Sequence, residues 1–304
     1  MKYNAFVDEI LDEQEYKDNL EKISQDPEIY LHDIGYKKSF RTAVILAWTI
    51  PMVVALGLFI WMVLDATVRM YCYIPFIVAA IISTIVTIDR INNHRTFLIA
   101  SMGPRIVSTV YGQDAIFDDS VGFSEDFLKK IDAFPVKTIK QEDFISGHFK
   151  GIECKCADVT SSHIESAKGY KETSIDFSGS IYLIKLNKTV ENRISIFRAI
   201  DLISFKEVPF KNKKLDFYYN IYCSNNDYAL NFVNETMQSN LIDIAKSLRG
   251  IKFTIYLENN YAVVIIPDYE TSFSVIPGKS LRYNVNTIVH DVSVMAYFAT
   301  SLNV

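Results

Sequence analysis

The sequence predicts an α+β protein: an N-terminal transmembrane helical hairpin followed by a cytoplasmic domain with a largely antiparallel sheet and flanking helices. Three observations lead there. Two runs without a charged residue, 42–64 and 70–88, each approach the roughly 20 apolar residues that a helix needs to cross a bilayer. Cations gather at the outer ends of that pair: Lys37, Lys38 and Arg41 before it, Arg90, Arg95 and Arg105 after it. Beyond Phe149 the apolar period changes from helical to strand-like, and strands and helices are grouped rather than strictly alternating. The boundaries drawn from these features are an acidic amphipathic arm at 1–39, the hairpin at 40–91 and the cytoplasmic α+β domain at 92–304.

The arm reads as helical, with Phe6, Ile10, Leu11, Leu20 and Ile23 as an apolar stripe that Pro27 interrupts. Its background is acidic: residues 1–36 hold ten acids, Asp33 among them, against Lys2, Lys17 and Lys22. Such a stripe reads as an amphipathic helix resting on its own domain, with partner docking as the functional alternative.

Only Asp65 to Arg69 separates the two predicted spans, so they must turn straight back on each other. The loop offers Arg69 alone, and the positive-inside rule then places both termini in the cytoplasm of a multi-pass inner-membrane protein. Trp61, Tyr71 and Tyr73 sit near the loop end, where headgroups would be. Pro51 and Pro75 read as tolerated prolines, and Thr42, Thr49, Ser83, Thr84 and Thr87 as hydroxyls satisfied by their own helices. No ionisable residue marks an ion path.

After the second run, Phe97, Leu98, Ile99 and Met102, then Ile106, Val107 and Val110, continue a helical stripe that Gly103-Pro104 is predicted to break. Ser124 reads as the N-cap of a short helix toward Ile131. Strand-like runs follow at Gly151–Val159, Ser180–Leu186, Arg193–Phe205 and Leu215–Cys223, then Ile251–Leu257 and Tyr261–Pro267 as a hairpin about Glu258-Asn259-Asn260. Gly147 and Gly151 read as turn glycines at the entry to the first strand, and Phe177-Ser-Gly179 as the opening of the second. Ser224 to Asp227 offers a cap for a helix over Tyr228–Leu248, which Asn234 and Thr236 can divide and Gly250 stops. The chain ends in a helix from about Asn286, with Ile288, Val289, Val292, Met295, Ala299 and Leu302 at helical spacing.

Residues 92–304 carry 24 acids and 23 bases, too balanced for a phosphate-neutralising surface, so no nucleic acid is expected as a partner. There is no GxGxxG, GxxxxGK[ST], GxSxG or HExxH. Cys154 and Cys156, at i, i+2 on a strand, lack CxxC spacing and read as reduced thiols; Cys72 lies in an apolar run. Ser161-Ser162-His163 reads as a polar turn rather than part of a triad, and Asp158, Glu165 and Asp176 as surface charge. Asn187-Lys-Thr189 and Asn234-Glu-Thr236 match the glycosylation pattern but would not be modified in the cytoplasm. Catalytic, cofactor-binding and metal-ligating residues are accordingly none, and no cofactor is expected.

The order of several short motifs, Glu142-Asp143-Phe144-Ile145-Ser146-Gly147 with Gly151, Phe177-Ser-Gly179, and Phe217-x3-Ile221-Tyr222-x-Ser224 leading into Asp227-x-Ala229, resembles the bacterial two-span membrane proteins of the domain-of-unknown-function family three-one-three-seven. The resemblance runs over roughly 40–304 and departs from the pattern in the acidic arm and in Asn192 to Lys214. It implies an inner-membrane location and brings no active site to carry over. The expected role is therefore a membrane-anchored cytoplasmic binding or scaffold module, not an enzyme, with the lipid bilayer and a protein partner or second copy as partners. The alternative is a ligand-sensing membrane effector whose soluble domain binds a small molecule or nucleotide and drives hairpin assembly.

Overall fold

The computed structural model describes residues 14–64, 74–118, 120–167, 170–198, 208–248, 250–267, 275–276 and 279–304. Two units divide the chain, one of Met1–Leu20, Gly103–Ser274 and Asn286–Val304, the other of Glu21–Met102 and Val275–Val285. The second unit is helical. Helix α1 (Gln14–Ser24) ends before Pro27, which opens α2 (Pro27–Leu64), and α3 spans Ile74–Tyr111. Pro27 thus starts a helix, as a residue with no amide hydrogen can. Asp26 caps it, accepting from Glu28 N at 2.9 Å. Phe6, Ile10 and Leu11 lie outside the described residues.

The two-span membrane hairpin is overturned: among the described residues, no helix is long and apolar enough to cross a membrane. Helices α2 and α3 have 38 residues each. They take in Glu28, Asp33, Lys37, Lys38 and Arg41 on one and Asp89, Arg90, Arg95 and Arg105 on the other. With the spans go the inner-membrane placement and the topology drawn from the flanking cations. The predicted loop at 65–69 and the side chains of Trp61, Tyr71 and Tyr73 lie outside the described residues.

Nor does Gly103-Pro104 break the helix; α3 runs through it. An interior proline costs about 3 kcal/mol. Beyond it Ile106, Val107, Val110 and Tyr111 are all buried, and at about 1.5–3 kcal/mol for each side chain their burial outweighs that cost.

The first unit is built on one antiparallel sheet, as predicted. Its elements are β1 (Ile116–Asp118), α4 (Glu125–Ile131), β2 (Thr138–Phe149), β3 (Ile152–Ala167), β4 (Tyr170–Arg198), α5 (Lys213–Tyr218), β5 (Tyr219–Cys223), α6 (Asn226–Phe232), α7 (Glu235–Ser247), β6 (Thr254–Pro267) and α8 (Leu281–Leu302). Ser124 caps α4 as expected, accepting from Phe127 N at 3.3 Å. The predicted long helix is split at Asn234, which caps α7, whereas Asn225 rather than Ser224 caps α6.

Strand β4 is the axis. Along one edge it pairs with β6, Gly179↔Pro267 through Phe197↔Thr254. Along the other it pairs first with β3 and then with β5, Ile194↔Cys223 through Arg198↔Tyr219. Successive side chains on a strand face opposite ways, so Ile181 and Tyr182 serve different layers. Ile181 joins Leu128 and Ile131 of α4, Ala157, Val159 and Ile265 in one core, while Tyr182 lies against Phe298 of α8. Both faces of the centre are covered, which is why Val264, Ile265 and Ile266 are all buried.

Several strand boundaries differ from expectation. The run from Ser180 is the middle of β4, not a separate strand, and Arg193 to Arg198 is its far end; residues 199–207 lie outside the described residues. Leu215 to Tyr218 belongs to α5 because Asn212 caps a turn there. The segment about Glu258-Asn259-Asn260 is one continuous strand, with Asn259 at φ 56° and a register shift opposite Val190 instead of a hairpin turn. The tight turn is elsewhere: Phe149 pairs with Ile152 across Lys150 (φ 49°) and Gly151 (φ 82°), the double positive φ of a two-residue hairpin. Gly147 is a strand residue, kept small by the Tyr111 side chain.

Gly179 is also mid-strand, and its role is close approach. A Cβ there would lie 2.3 Å from the carbonyl oxygen of Ile266 and 2.9 Å from Pro267 Cα, both backbone atoms that cannot yield without parting β4 from β6. Gly179→Ala is therefore expected to cost about 1–3 kcal/mol, lowering the urea midpoint of the full chain with little change in m. An unchanged midpoint would contradict this close approach.

Candidate functional site

The β3–β4 pair extends past its neighbours in the sheet. Strand β2 pairs with β3 only as far as Thr138↔Ser162, and β6 meets β4 only from Gly179 onward. Beyond those points β3 and β4 continue together to Ala167↔Tyr170. Among the described residues, the stretch His163–Ala167 with Tyr170–Ser174 is a two-stranded arm with both outer edges unpaired. The expected polar turn at Ser161-Ser162-His163 is thus strand. Sequence periodicity ended β3 at Val159 because its polar continuation carries no apolar alternation.

The arm leaves the sheet at a bulge. Ser161 pairs with Phe177 and Ser162 with Ile175, so Asp176 is the extra residue on β4. A bulge re-aims the side chain it carries, and Asp176 Oδ2 lies 2.8 Å from His163 Nδ1. Glu165 Oε1 sits 3.0 Å from the other ring nitrogen, Nε2. Phe177, next along the strand, stacks on Phe134 with centroids 4.2 Å apart and anchors the arm's base to the core.

With a carboxylate at each nitrogen, both ring N–H groups of an imidazolium are satisfied, and these bonds raise the His163 pKa above its ordinary value, Asp176 contributing most. The effect on stability has a definite sign. The clamp is at full strength below about pH 6.5, the ordinary histidine value, and is lost as pH rises through the raised folded value. Glu165 and Asp176 are therefore two jaws of one clamp instead of scattered surface charge. Asp158, read the same way, accepts a hydrogen bond from Ser180 Oγ at 2.6 Å.

The opposite face of the arm is apolar where it could be polar. Ile164 and Ile175 share that face, with 65% and 64% of their surface exposed. Three nucleophilic side chains toward the sheet along β3 are held down. Ser161 Oγ donates to the Pro135 carbonyl at 2.5 Å and is not in reach of a triad role. Burial pushes the Cys154 thiol up to about 12 and Cys156 well above its ordinary value, which suppresses the reactive thiolate. Among the described residues no group of three or more His, Cys, Asp or Glu could hold a metal ion.

Sequence reading missed the clamp. His163 and Glu165 at i, i+2 share a strand face, which is a usable signal once β3 is known to continue. Asp176 is 13 residues away and reaches the site only through the hairpin register and its bulge.

No family model matches the chain, and no curated protein does. Among solved structures it is similar to the crystal structure of the mycobacterial trehalose monomycolate transport factor A, TtfA, at 12% sequence identity and a TM-score of 0.35, covering 70% of this chain and 94% of that one. Likeness at that level transfers neither fold nor function.

In proton-detected imidazole titrations of the full chain, His163 is expected to titrate above the ordinary value of about 6.5. Asp176→Asn should lower its midpoint more than Glu165→Gln does. A wild-type midpoint at or below the ordinary value would dismiss the clamp.

Proposed function

We propose that the chain is a binding or scaffold module that works without chemistry of its own, and that the β3–β4 arm is where it takes hold of a protein partner. The observation that carries this reading is the arm's form: a ribbon whose two edges are unpaired among the described residues, with exposed isoleucines on one face and a charge clamp on the other. Unpaired strand edges are templates for another strand. Edges are usually blunted by proline or lysine, and Ser162 to Ala167 contains neither.

The occupant is an extended segment of a partner protein that adds as a strand to the outer edge of β3. Main-chain hydrogen bonds would supply affinity and alternate side chains specificity. Apolar side chains of that segment would lie over Ile164 and Ile175. A cationic side chain would meet the face bearing Glu165, Glu172 and Asp176, carboxylates that outnumber the His163 imidazolium and the nearby Lys137.

The test replaces residues 163–174 by Asn-Gly, joining the paired residues Ser162 and Ile175, and places a photo-crosslinking residue at 164 or, as a control, at the exposed Phe217. Crosslinking from 164 to one defined protein is expected, with loss of that protein's binding in the shortened chain and no large change in thermal stability. Binding that survives removal of the arm would refute the proposal.

A further inference from the structure

The second unit buries a different histidine. Asp33 on α2 and His94 on α3 are 3% and 2% exposed. Lys37, one turn along α2, donates to Asp33 Oδ2 at 2.6 Å. His94 Nε2 lies 3.3 Å from Asp33 Oδ1, within ion-pair range. It is not aligned as a hydrogen bond, and neither ring nitrogen of His94 has a hydrogen-bond partner.

Rings enclose the pair. Tyr36 stacks on His94 with centroids 3.7 Å apart and planes within 3°. His32 lies parallel to His94 at 5.4 Å and stacks on Phe97 at 3.5 Å. The contact between α2 and α3 here is thus a stack of flat rings around one carboxylate that already has a cation. The sequence marked Asp33 only as one acid of many; its partner is 61 positions away, and no local spacing reveals it.

We infer that the Asp33–His94 cluster is a proton switch, which holds α2 and α3 together while the His94 ring is neutral and loosens that contact when the ring takes up a proton from solvent. The proton adds to the ring's lone-pair nitrogen and turns a neutral stacked ring into a cation. Asp33, which now neutralises Lys37 alone, would then be shared between two cations in a site closed to water. An imidazolium so placed is costly unless fully paired. Among the described residues, the charged and titratable groups that shift His94 lie on α2: Asp33 favours its protonation, His32 and Lys37 oppose it, and Tyr36 covers its face.

Burial is the largest influence, and it lowers the His94 pKa below the ordinary value. The sign is therefore opposite to that of His163. The arrangement is fully stable above about pH 6.5 and loses stability as pH falls from there toward the lowered folded value.

Amide hydrogen exchange of the full chain, corrected for intrinsic rates, reads the switch directly. At about pH 5.5, against about pH 7.5, residues 29–41 and 90–101 should exchange several-fold faster. In His94→Phe, whose ring still stacks on Tyr36 but cannot titrate, the acceleration should vanish. In Lys37→Met, at the half-exposed side of the cluster, it should shrink, because the imidazolium would have Asp33 to itself. Equal acceleration in His94→Phe, an undiminished response in Lys37→Met, or slower exchange at acid pH in the parent chain would each overturn the inference.

Discussion

The pairing of β4 with β6 is the constraint on which the larger unit rests. Strand β6 follows one edge of β4 from Gly179 to Phe197, while β3 and β5 share the other edge in turn. Neither β3 nor β5 pairs with the other, so β4 alone joins them. The closest approach is at Gly179, where even a methyl group would strike the Ile266 carbonyl. Both layers over the sheet follow from this register: Ile181 and Ile265 face α4, and Tyr182, opposite Val264, faces α8. Two buried tyrosines tie helices by their backbones, Tyr111 donating to the Val292 carbonyl at 2.5 Å and Tyr219 to that of Leu241 at 2.7 Å. Burial raises the pKa of both phenols, which remain neutral donors at any ordinary pH.

Against that interior, two histidines show how environment decides what one side chain does. His163 stands at a bulge between two carboxylates, and its proton is held. His94 is sealed under rings beside a carboxylate already claimed by Lys37, and its proton is refused. The first stiffens an arm at neutral to mildly acid pH. The second makes a helical contact sensitive to acid. Along β3 from the first, the Ser161 hydroxyl is bound to a main-chain carbonyl, and the Cys154 and Cys156 thiols are buried.

Much of the secondary structure was legible in the sequence where a single local cause dominates. Ser124 as a cap, the split at Asn234 and the antiparallel sheet needed only capping chemistry and apolar alternation. Reading failed where tertiary packing outweighed a local signal. Pro104 sits inside a helix because the turns around it are buried, Gly147 is small because of Tyr111, and the Asn259 segment stays in one strand because β4 pairs on both sides of it. The apolar runs at 42–64 and 70–88 were read as complete spans, yet no described helix is long and apolar enough to cross a membrane. The two histidine clusters were illegible for a plainer reason: their members meet across a hairpin bulge or between two helices, and neither register is written in local spacing.

Strand β4 is a single strand whose last two-thirds is locked in the sheet while its first residues form a projecting arm. Residue-resolved amide exchange along β4 tests this most directly. Amides from Ser180 to Ile184 and from Ile194 to Phe197, paired on both sides, should exchange only through global unfolding, and those from Glu172 to Ser174 far faster, through local opening. Uniform protection from end to end, or an arm as slow as the centre, would contradict it.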